Sequence, residues 1–322
     1  TREGVALLCL AEALLRIPDA ATQDALIDAT LGEADWRAHL GHADSLAVNA
    51  SAFAFMLSGR VLNLEERRGV PAAIARTIRR LGEPVIRAAL RRGMRVLARQ
   101  FVMGRTIEEA LERAATNEGR RWRHSFDMLG EAARTAADAA RYLAAYRHAI
   151  GAVGRAAAGR GPVEGPGVSV KLSALHPRFE ALQAERCVPA LIAALGALAR
   201  AAKEQDIGLT VDAEEAERLE ITLDIFAALR ADPALAGWEG LGLAIQAYQK
   251  RPPAVVEWVA DLARRTGHAI PARLVTGAYW DAEIKQAQVQ GLPDYPVFTR
   301  KAATDVSWLA CARRMLALRG PL

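Results

Sequence analysis

Four side chains with different chemistries follow four β-rich segments in the middle of this 322-residue chain. Successive members of the set are 41, 34 and 33 positions apart, which is the length of a strand, a loop and a returning helix and is too long for a hairpin. In a barrel of parallel strands the carboxyl-terminal strand ends meet at one mouth, so the four side chains are expected to face a common site. They are Lys171 in VSVKLSAL, Asp212 in GLTVDAEEAE, Gln246 in GLGLAIQAYQK and Tyr279 in ARLVTGAYWD.

Lys171 lies within an otherwise apolar strand, and an unpaired buried ammonium is too costly to serve as core filler. It therefore pairs with a carboxylate or contacts a ligand, and Asp212 on the neighbouring strand is the nearest candidate for the pair. One interpretation is a structural Lys–Asp ion pair without catalysis. Another is a Schiff-base aldolase or transaldolase, because a strand lysine whose pKa is lowered can form an imine with a carbonyl substrate.

Two segments carry side chains that suit a flat ligand. Gln246 ends an apolar strand with an amide that can hydrogen-bond a planar heterocycle. In ARLVTGAYWD, Arg273 adds a permanent cation with forked donors, and Gly277 leaves room for a ligand close to the backbone. Tyr279 and Trp280 add aromatic surface, although an aromatic pair after a strand more often serves packing than cofactor binding.

Thr299, Arg300 and Lys301 precede a helical run, and helix amino termini bind phosphate. A solvated helix start explains the same three residues equally well. The sequence contains neither GxGxxG nor GxxxxGK(S/T), so a nucleotide cofactor is not expected on a Gly-rich loop. His39 and His42 have a spacing that could serve a metal but are interpreted as surface histidines, so no metal site is expected.

The chain is expected to contain a helical arm at residues 1–120 and a barrel region at residues 121–322. The arm shows helical periodicity throughout, with a capping box at residues 106–109. The alternation of strands and helices after it indicates the α/β class and a (β/α)8 TIM-type barrel, which has eight units in ~250 residues. About five of the eight units are therefore expected here. Their strands are predicted near residues 123–129, 168–174, 208–213, 240–246 and 272–278.

Composition points to a soluble globular chain, with 52% hydrophobic residues and no apolar stretch of the ~18–20 residues that a bilayer span needs. The net charge is +5 and the pI is about 9.4, but basic and acidic residues are interleaved. No nucleic-acid surface is expected for that reason. The three cysteines are far apart in the sequence and fit a reducing cytoplasm.

Seven strings along the chain resemble the proline dehydrogenase domain of the bifunctional proline utilization A flavoenzymes. The likeness extends over essentially the whole chain, and the combination of KLSALHP with GAYWD is highly specific. It implies an FAD-dependent (β/α)8 barrel that oxidises L-proline to pyrroline-5-carboxylate and passes electrons to a membrane quinone. The strings are EGVALLCLAEALLRIPDAAT, DMLGEAARTAADA, GPGVSVKLSALHPRFE, VDAEEAERLEITLDIF, LAIQAYQKR, RLVTGAYWDAEIKQAQ and YPVFTRKAATDVSWLACA.

The resemblance also implies roles for individual residues at the strand ends. Lys171, Asp212 and Arg273 would be the catalytic residues, with Arg273 near the reactive edge of the flavin. Tyr279 would close over the proline ring beside Lys171 and Asp212. The residues that would contact the flavin ring, its adenosine or its phosphates are Asp212, Ala213, Gln246, Arg273, Val275, Gly277, Ala278, Tyr279, Trp280, Thr299 and Lys301.

Two departures from the family pattern concern the flavin segment and the far end of the barrel. Thr276 stands where the family commonly has a lysine, which removes one cation but no catalytic candidate. The last three barrel units, with an arginine pair for the proline carboxylate, are expected after Leu322. The family's DNA-binding segment and aldehyde dehydrogenase domain are likewise expected outside these residues.

The chain is therefore expected to be part of a longer protein, truncated at both ends. That protein would be cytoplasmic, would associate peripherally with a membrane when reduced, and could form a homo-oligomer. By itself the chain is expected to have an incomplete site, and a non-catalytic barrel fragment is the third interpretation.

Overall fold

The computed structural model describes residues 21–22, 25–26, 102–116 and 119–318, and the chain divides into two compact units, Thr1–Arg113 and Ala114–Leu322. In the first unit, the described residues 21–22 and 25–26 are helical. Helix α1, Ile107–Ala114, begins in the first unit and ends at the first residue of the second. The Thr106 hydroxyl accepts the Glu109 N–H at 3.3 Å, as the predicted cap requires. The other predicted helices of the arm, together with His39 and His42, lie outside the described residues.

Five parallel strands form one sheet in the second unit, in the sequence order β1-β2-β3-β4-β5. The strands are β1 (Ser125–Asp127), β2 (Gly167–Val170), β3 (Gly208–Val211), β4 (Leu241–Gln246) and β5 (Ala272–Val275). The helices that follow them are α2 (Ala136–Ala157), α3 (Gly161–Glu164), α4 (Ala184–Glu204), α5 (Leu219–Arg230), α6 (Pro252–Thr266), α7 (Trp280–Val289) and α8 (Lys301–Ala317).

This arrangement confirms the five predicted β/α units, which form a curved half-barrel. Each strand pairs in parallel with the next one along the chain, for example Val170 opposite Val211 and Gln246 opposite Val275. A parallel pair needs a long crossover connection, and the helices between the strands provide it. Three further units would be needed to close an eight-stranded barrel.

Apolar side chains of the strands and of the helices that cover them form the core. On α4, the side chains of Leu191, Leu195 and Leu198 are fully buried, and this helix packs on α2, α5 and β3. Valine, leucine and isoleucine side chains of β2, β3 and β4 are buried as well, as expected of a parallel sheet that is covered by helices, whereas the side chains of β5 are half-buried. The core therefore fixes the strands, and the strands fix where their carboxyl ends point.

Segment Ala181–Glu204, which includes α4, is the one candidate membrane span found among the described residues, with a mean hydropathy of 1.3. Its length and apolar composition also suit a core helix of a globular protein. The buried leucines of α4 and its packing on three neighbouring elements favour the core helix.

A capping box starts α2, the longest helix of the half-barrel. The Thr135 hydroxyl accepts the Asp138 N–H at 3.1 Å, and the Asp138 carboxylate accepts the Thr135 N–H at 3.0 Å. Two N–H groups that the helix cannot satisfy itself are thereby paired. From this helix the buried Tyr146 hydroxyl accepts the Lys171 N–H at 3.2 Å, which fixes the backbone where β2 ends.

Candidate active site

A cluster of charged side chains lies at the carboxyl-terminal ends of the strands. The Lys171 ammonium donates to Asp212 Oδ2 at 2.8 Å and to both carboxylate oxygens of Asp127 at 3.0 Å. The Arg273 guanidinium pairs with the other Asp212 oxygen and donates through Nη1 to Ser169 Oγ at 2.8 Å. We call these five residues, Asp127, Ser169, Lys171, Asp212 and Arg273, the charged cluster.

Burial and ion pairing set the protonation of the cluster. The Lys171 side chain is 16% exposed and the Asp212 side chain is 8% exposed. Burial lowers the pKa of Lys171, but the carboxylates of Asp212 and Asp127 outweigh burial and raise that pKa above its ordinary value. Burial raises the pKa of Asp212 against the opposing effect of Lys171. Lys171 is consequently a protonated ammonium at neutral pH.

Arg273 has an unused donor in the cluster. Its Nε atom is buried and has no hydrogen-bond partner among the described residues, whereas both of its terminal nitrogens are engaged. A buried donor without a partner is uncommon in folded proteins and invites an acceptor from a ligand or a water molecule. In the described part of the chain, the charged cluster therefore has a free hydrogen-bond donor, Arg273 Nε, in addition to the ion pairs between its two cations and its two carboxylates.

Gln246, at the end of β4, connects two loops with its amide. Its Nε2 donates to the Glu214 carbonyl at 2.8 Å, and its Oε1 accepts the Ala278 N–H at 3.1 Å. Because these contacts use opposite ends of the amide, they fix its orientation. The second Nε2 hydrogen is left for another acceptor.

Gly277 has a φ of +140° and lies directly against the ring of Tyr248. A Cβ at this position would be 2.3 Å from Tyr248 Cγ. On the side where a Cβ would lie, the neighbour of this glycine is an aromatic side chain of the protein itself, and the predicted approach of a ligand to Gly277 stays a prediction. The sharp backbone here leads directly into the residues of the candidate flavin segment, Gly277–Trp280.

Tyr279 and Trp280 both extend from the loop after β5 and make polar contacts. The Tyr279 hydroxyl donates to Glu131 Oε2 at 2.8 Å, which joins the loop after β5 to the loop after β1. The Trp280 indole, in a residue that is 42% exposed, donates to the Phe298 carbonyl at 2.9 Å. An open depression of about 530 Å³ is lined by residues 277–282, which follow Arg273 of the charged cluster along the chain.

The remaining predicted cofactor contacts lie around this loop. Val275 ends β5 and Ala213 follows β3, so both are at the expected edge of the sheet. Thr299 is exposed, and Lys301 is the first residue of α8. The Lys301 ammonium pairs with Asp305 at 2.8 Å on the same exposed helix face, so a phosphate would compete with that carboxylate.

Three polar residues of the site were not among the predicted site residues. Asp127 pairs with Lys171, Ser169 accepts from Arg273, and Glu131 accepts from Tyr279. Asp127 could have been included, since it ends the first predicted strand and strand ends converge. Ser169 and Glu131 carry no comparable signal in the sequence. Among the described residues, no group of three or more His, Cys, Asp or Glu side chains could hold a metal ion.

Two protein-family models match the sequence. Residues 110–321 match the model described as Proline dehydrogenase, which is about two thirds of the chain. Residues 1–101 match the model described as DNA-binding domain of Proline dehydrogenase. The second match disagrees with the expectation that the family's DNA-binding segment lies outside this chain.

Curated relatives and solved structures agree with the first of these matches. The chain is 51% identical over 318 residues to Bifunctional protein PutA of Salmonella typhimurium and 50% identical over 309 residues to that of Rhizobium meliloti. These alignments cover 99% and 96% of this chain and 24% and 25% of the relatives, so the chain spans about a quarter of their length. A PutA mutant from Bradyrhizobium japonicum aligns with a TM-score of 0.69 and 51% identity, covering 99% of this chain and 32% of that one.

Proposed function

The chain belongs to the proline dehydrogenase family, and we propose that the full-length protein that carries it oxidises L-proline to pyrroline-5-carboxylate with bound FAD. The observation that carries the proposal is the charged cluster at the carboxyl-terminal edge of the half-barrel, the edge at which the Gly277–Trp280 loop follows β5. In barrels of this type the active site lies at that edge. The proposal assigns substrate contacts to Lys171, Asp212 and Tyr279.

The cluster offers what a zwitterionic substrate needs. Lys171 and Arg273 supply fixed positive charge, while Asp127 and Asp212 supply carboxylate oxygens that accept hydrogen bonds from an amine. The two positive and two negative charges of the cluster neutralise one another. A bound substrate would therefore replace some of these ion pairs with its own contacts. Tyr279, whose pKa is raised by burial, remains a neutral hydroxyl that can donate a hydrogen bond.

The residues present fit a flavin. Arg273 has a buried Nε without a partner among the described residues, Gln246 has one free amide hydrogen, and residues 277–282 line an open depression. When bound, FAD supplies the acceptor for the two electrons and the hydrogen that leave the proline carbon next to nitrogen. On this proposal Arg273 and Gln246 hold the ring, Trp280 contacts the adenosine, and Thr299 with Lys301 contacts the phosphates or ribose.

The Schiff-base alternative is disfavoured by the state of Lys171. An imine-forming lysine needs a lowered pKa so that its amine is free to attack. Here two carboxylates bind the ammonium at 2.8 Å and 3.0 Å and raise its pKa. The same contacts orient Lys171 as a hydrogen-bond donor toward the site.

The acceptor of the electrons is proposed to be a membrane quinone, with peripheral association of the reduced protein at a membrane surface. When it is not associated with a membrane, the protein would be cytoplasmic. The free, buried Cys187 and Cys311 fit a reducing compartment of this kind. Assembly into a homo-oligomer is compatible with this arrangement.

Substitution of Arg273 tests the proposed site. In the full-length protein, Arg273→Ala should lower the flavin content or the rate of flavin reduction by L-proline about tenfold or more, since a hydrogen bond to a charged group contributes about 1.5–3 kcal/mol. Flavin absorbance of the purified protein and anaerobic stopped-flow reduction measure both quantities. Arg265→Ala, which removes an exposed arginine that pairs with Asp261, is the control. Equal flavin content and equal reduction in both variants would remove Arg273 from the site.

A further inference from the structure

We infer that Glu214 is a positioning residue for the Gly277–Trp280 loop, and that it acts through a chain of hydrogen bonds that joins the loops at the carboxyl ends of the strands. We call this chain the loop belt; its members are Ala132, Ala133, Ser173, Glu214, Gln246 and Ala278. The inference rests on the proposed function, because that function gives the Gly277–Trp280 loop its role.

The first half of the belt joins the loops after β1, β2 and β3. Ser173 accepts the Ala132 N–H through Oγ at 3.0 Å and the Ala133 N–H through its carbonyl at 2.8 Å. Its own N–H donates to Glu214 Oε1 at 2.9 Å. Glu214 therefore holds the segment after β2, and that segment holds the one after β1.

The second half of the belt runs from Glu214 to the loop after β5. The Glu214 carbonyl accepts from Gln246 Nε2 at 2.8 Å, and Gln246 Oε1 accepts the Ala278 N–H at 3.1 Å. Gln246 is 4% exposed and both ends of its amide are hydrogen-bonded, so the amide is held in one orientation. A shift of the Glu214 backbone is thus passed to Ala278 through one rigid side chain.

The environment of the Glu214 carboxylate indicates that this group does more than fill space in the core. Its side chain is 2% exposed, and burial raises its pKa, which makes a carboxylate an expensive way to fill space. Its two oxygens have different partners, Ser173 N–H on Oε1 and Arg218 Nη1 on Oε2 at 3.2 Å. An apolar replacement would leave the Ser173 N–H and the Arg218 guanidinium without these partners.

A second buried carboxylate, that of Glu283, also connects the loop after β3 to the surroundings of the Gly277–Trp280 loop. Glu283 on α7 accepts the Ala216 N–H at 2.6 Å and the Tyr248 hydroxyl at 3.3 Å. Tyr248 is the ring against which Gly277 packs. The loop after β3 is therefore held at Glu214 and at Ala216, and both attachments lead to the start of α7.

Hydrogen exchange of the full-length protein without added ligand tests the inference. Glu214→Ala should accelerate amide exchange in the peptide that covers residues 276–280 by about fivefold to tenfold, the loss expected for one hydrogen bond. Glu214→Gln, which keeps an acceptor oxygen for Ser173, should restore most of the protection. Glu185→Ala, an exposed glutamate on α4, is the control and should leave this peptide unchanged.

Acceleration at Ser173 with wild-type exchange at residues 276–280 would overturn the inference, because Glu214 would then be a local anchor only. If Glu214→Ala does not fold, Gln246→Leu provides the second test, since it leaves Glu214 and Arg218 in place and removes the contact to Ala278. Unchanged exchange at residues 276–280 in that variant would also overturn the inference.

Flavin release separates this inference from the proposed function. In the presence of FAD, Glu214→Ala should release flavin faster than Glu214→Gln and the Glu185→Ala control. Equal release rates in the three proteins would contradict the inference and leave the proposed function intact. A wild-type protein that holds no flavin would contradict the proposed function, and the exchange measurement would still decide the role of Glu214.

Discussion

At the scale of single residues, the charged cluster is organised around Asp212. Its two carboxylate oxygens take different cations, Lys171 on one and Arg273 on the other. Lys171 in turn connects Asp212 to Asp127 on β1. Charges on β1 and β5 and directly after β2 and β3 thus form one connected network, so substitution of one member is expected to change the interactions of the others.

A double-mutant cycle on Lys171→Met and Asp212→Asn tests whether the two residues act as a unit. We expect their effects on the free energy of unfolding to be non-additive by roughly 1 kcal/mol or more, because contacting residues in one ion-pair network typically couple by about 0.5–3 kcal/mol. Urea unfolding of the full-length protein and its three variants measures the coupling.

The exposed pair Lys301–Asp305 supplies the matched control cycle. Its lysine side chain is 84% exposed, and such helical pairs contribute only about 0.3–0.5 kcal/mol. A coupling between Lys171 and Asp212 that is no larger than that of the control pair would show that the two residues are independent.

The sequence was sufficient to predict part of this cluster. Lys171 was expected to pair with a carboxylate because an unpaired buried ammonium is costly, and the structure contains that pair with Asp212. The contacts of Arg273 with Ser169 and of Tyr279 with Glu131 depend on side-chain directions across the half-barrel. Strand spacing does not carry that information, which is why Ser169 and Glu131 were missed.

At the scale of elements, all five predicted strands are present, and four of them end earlier than predicted. β2 was expected to reach residue 174 and ends at Val170, because a 3-10 turn at Leu172–Ala174 takes over. β5 was expected to reach residue 278 and ends at Val275, before the positive φ of Gly277. Apolar residues continue through these turns, so hydrophobic pattern alone does not locate the strand ends.

Burial of α4 gives a stability prediction at this scale. Leu195→Ala should lower the free energy of unfolding by about 2–5 kcal/mol, because it removes a fully buried side chain and leaves a cavity. Leu182→Ala is the matched control, since Leu182 is 95% exposed, and it should change stability by about 0.5 kcal/mol or less.

Thermal or urea unfolding of the two leucine variants measures this difference. Equal losses in Leu195→Ala and Leu182→Ala would contradict the packing of α4 against α2, α5 and β3. They would also weaken the argument that segment Ala181–Glu204 is a core helix.

At the scale of the whole molecule, many exposed basic residues of the described part form ion pairs with acidic ones. Arg314 pairs with Glu257, Arg251 with Glu220 at 2.9 Å, and further exposed arginines pair within their own helices. Exposed positive and negative charges in residues 119–318 are thus largely paired with one another. Residues 1–101, which match the model described as DNA-binding domain of Proline dehydrogenase, lie almost entirely outside the described residues.

The division of the chain was predicted between residues 120 and 121, and this boundary stays a prediction. The boundary between the two compact units falls between Arg113 and Ala114 in the sequence, and the match to the Proline dehydrogenase model begins at residue 110. The change from helical periodicity to alternating strands occurs a few residues later than either position. A helix that begins in one unit and ends in the next, as α1 does, gives no signal of a boundary in its periodicity.

The most direct test of the account is anaerobic addition of L-proline to the purified full-length protein while the flavin absorbance is recorded. We predict bleaching of the bound flavin and formation of one pyrroline-5-carboxylate per flavin reduced, with no bleaching by an equal concentration of L-alanine. A protein that contains no flavin, or one whose flavin stays oxidised in the presence of L-proline, would contradict the proposal that this half-barrel carries a proline dehydrogenase site.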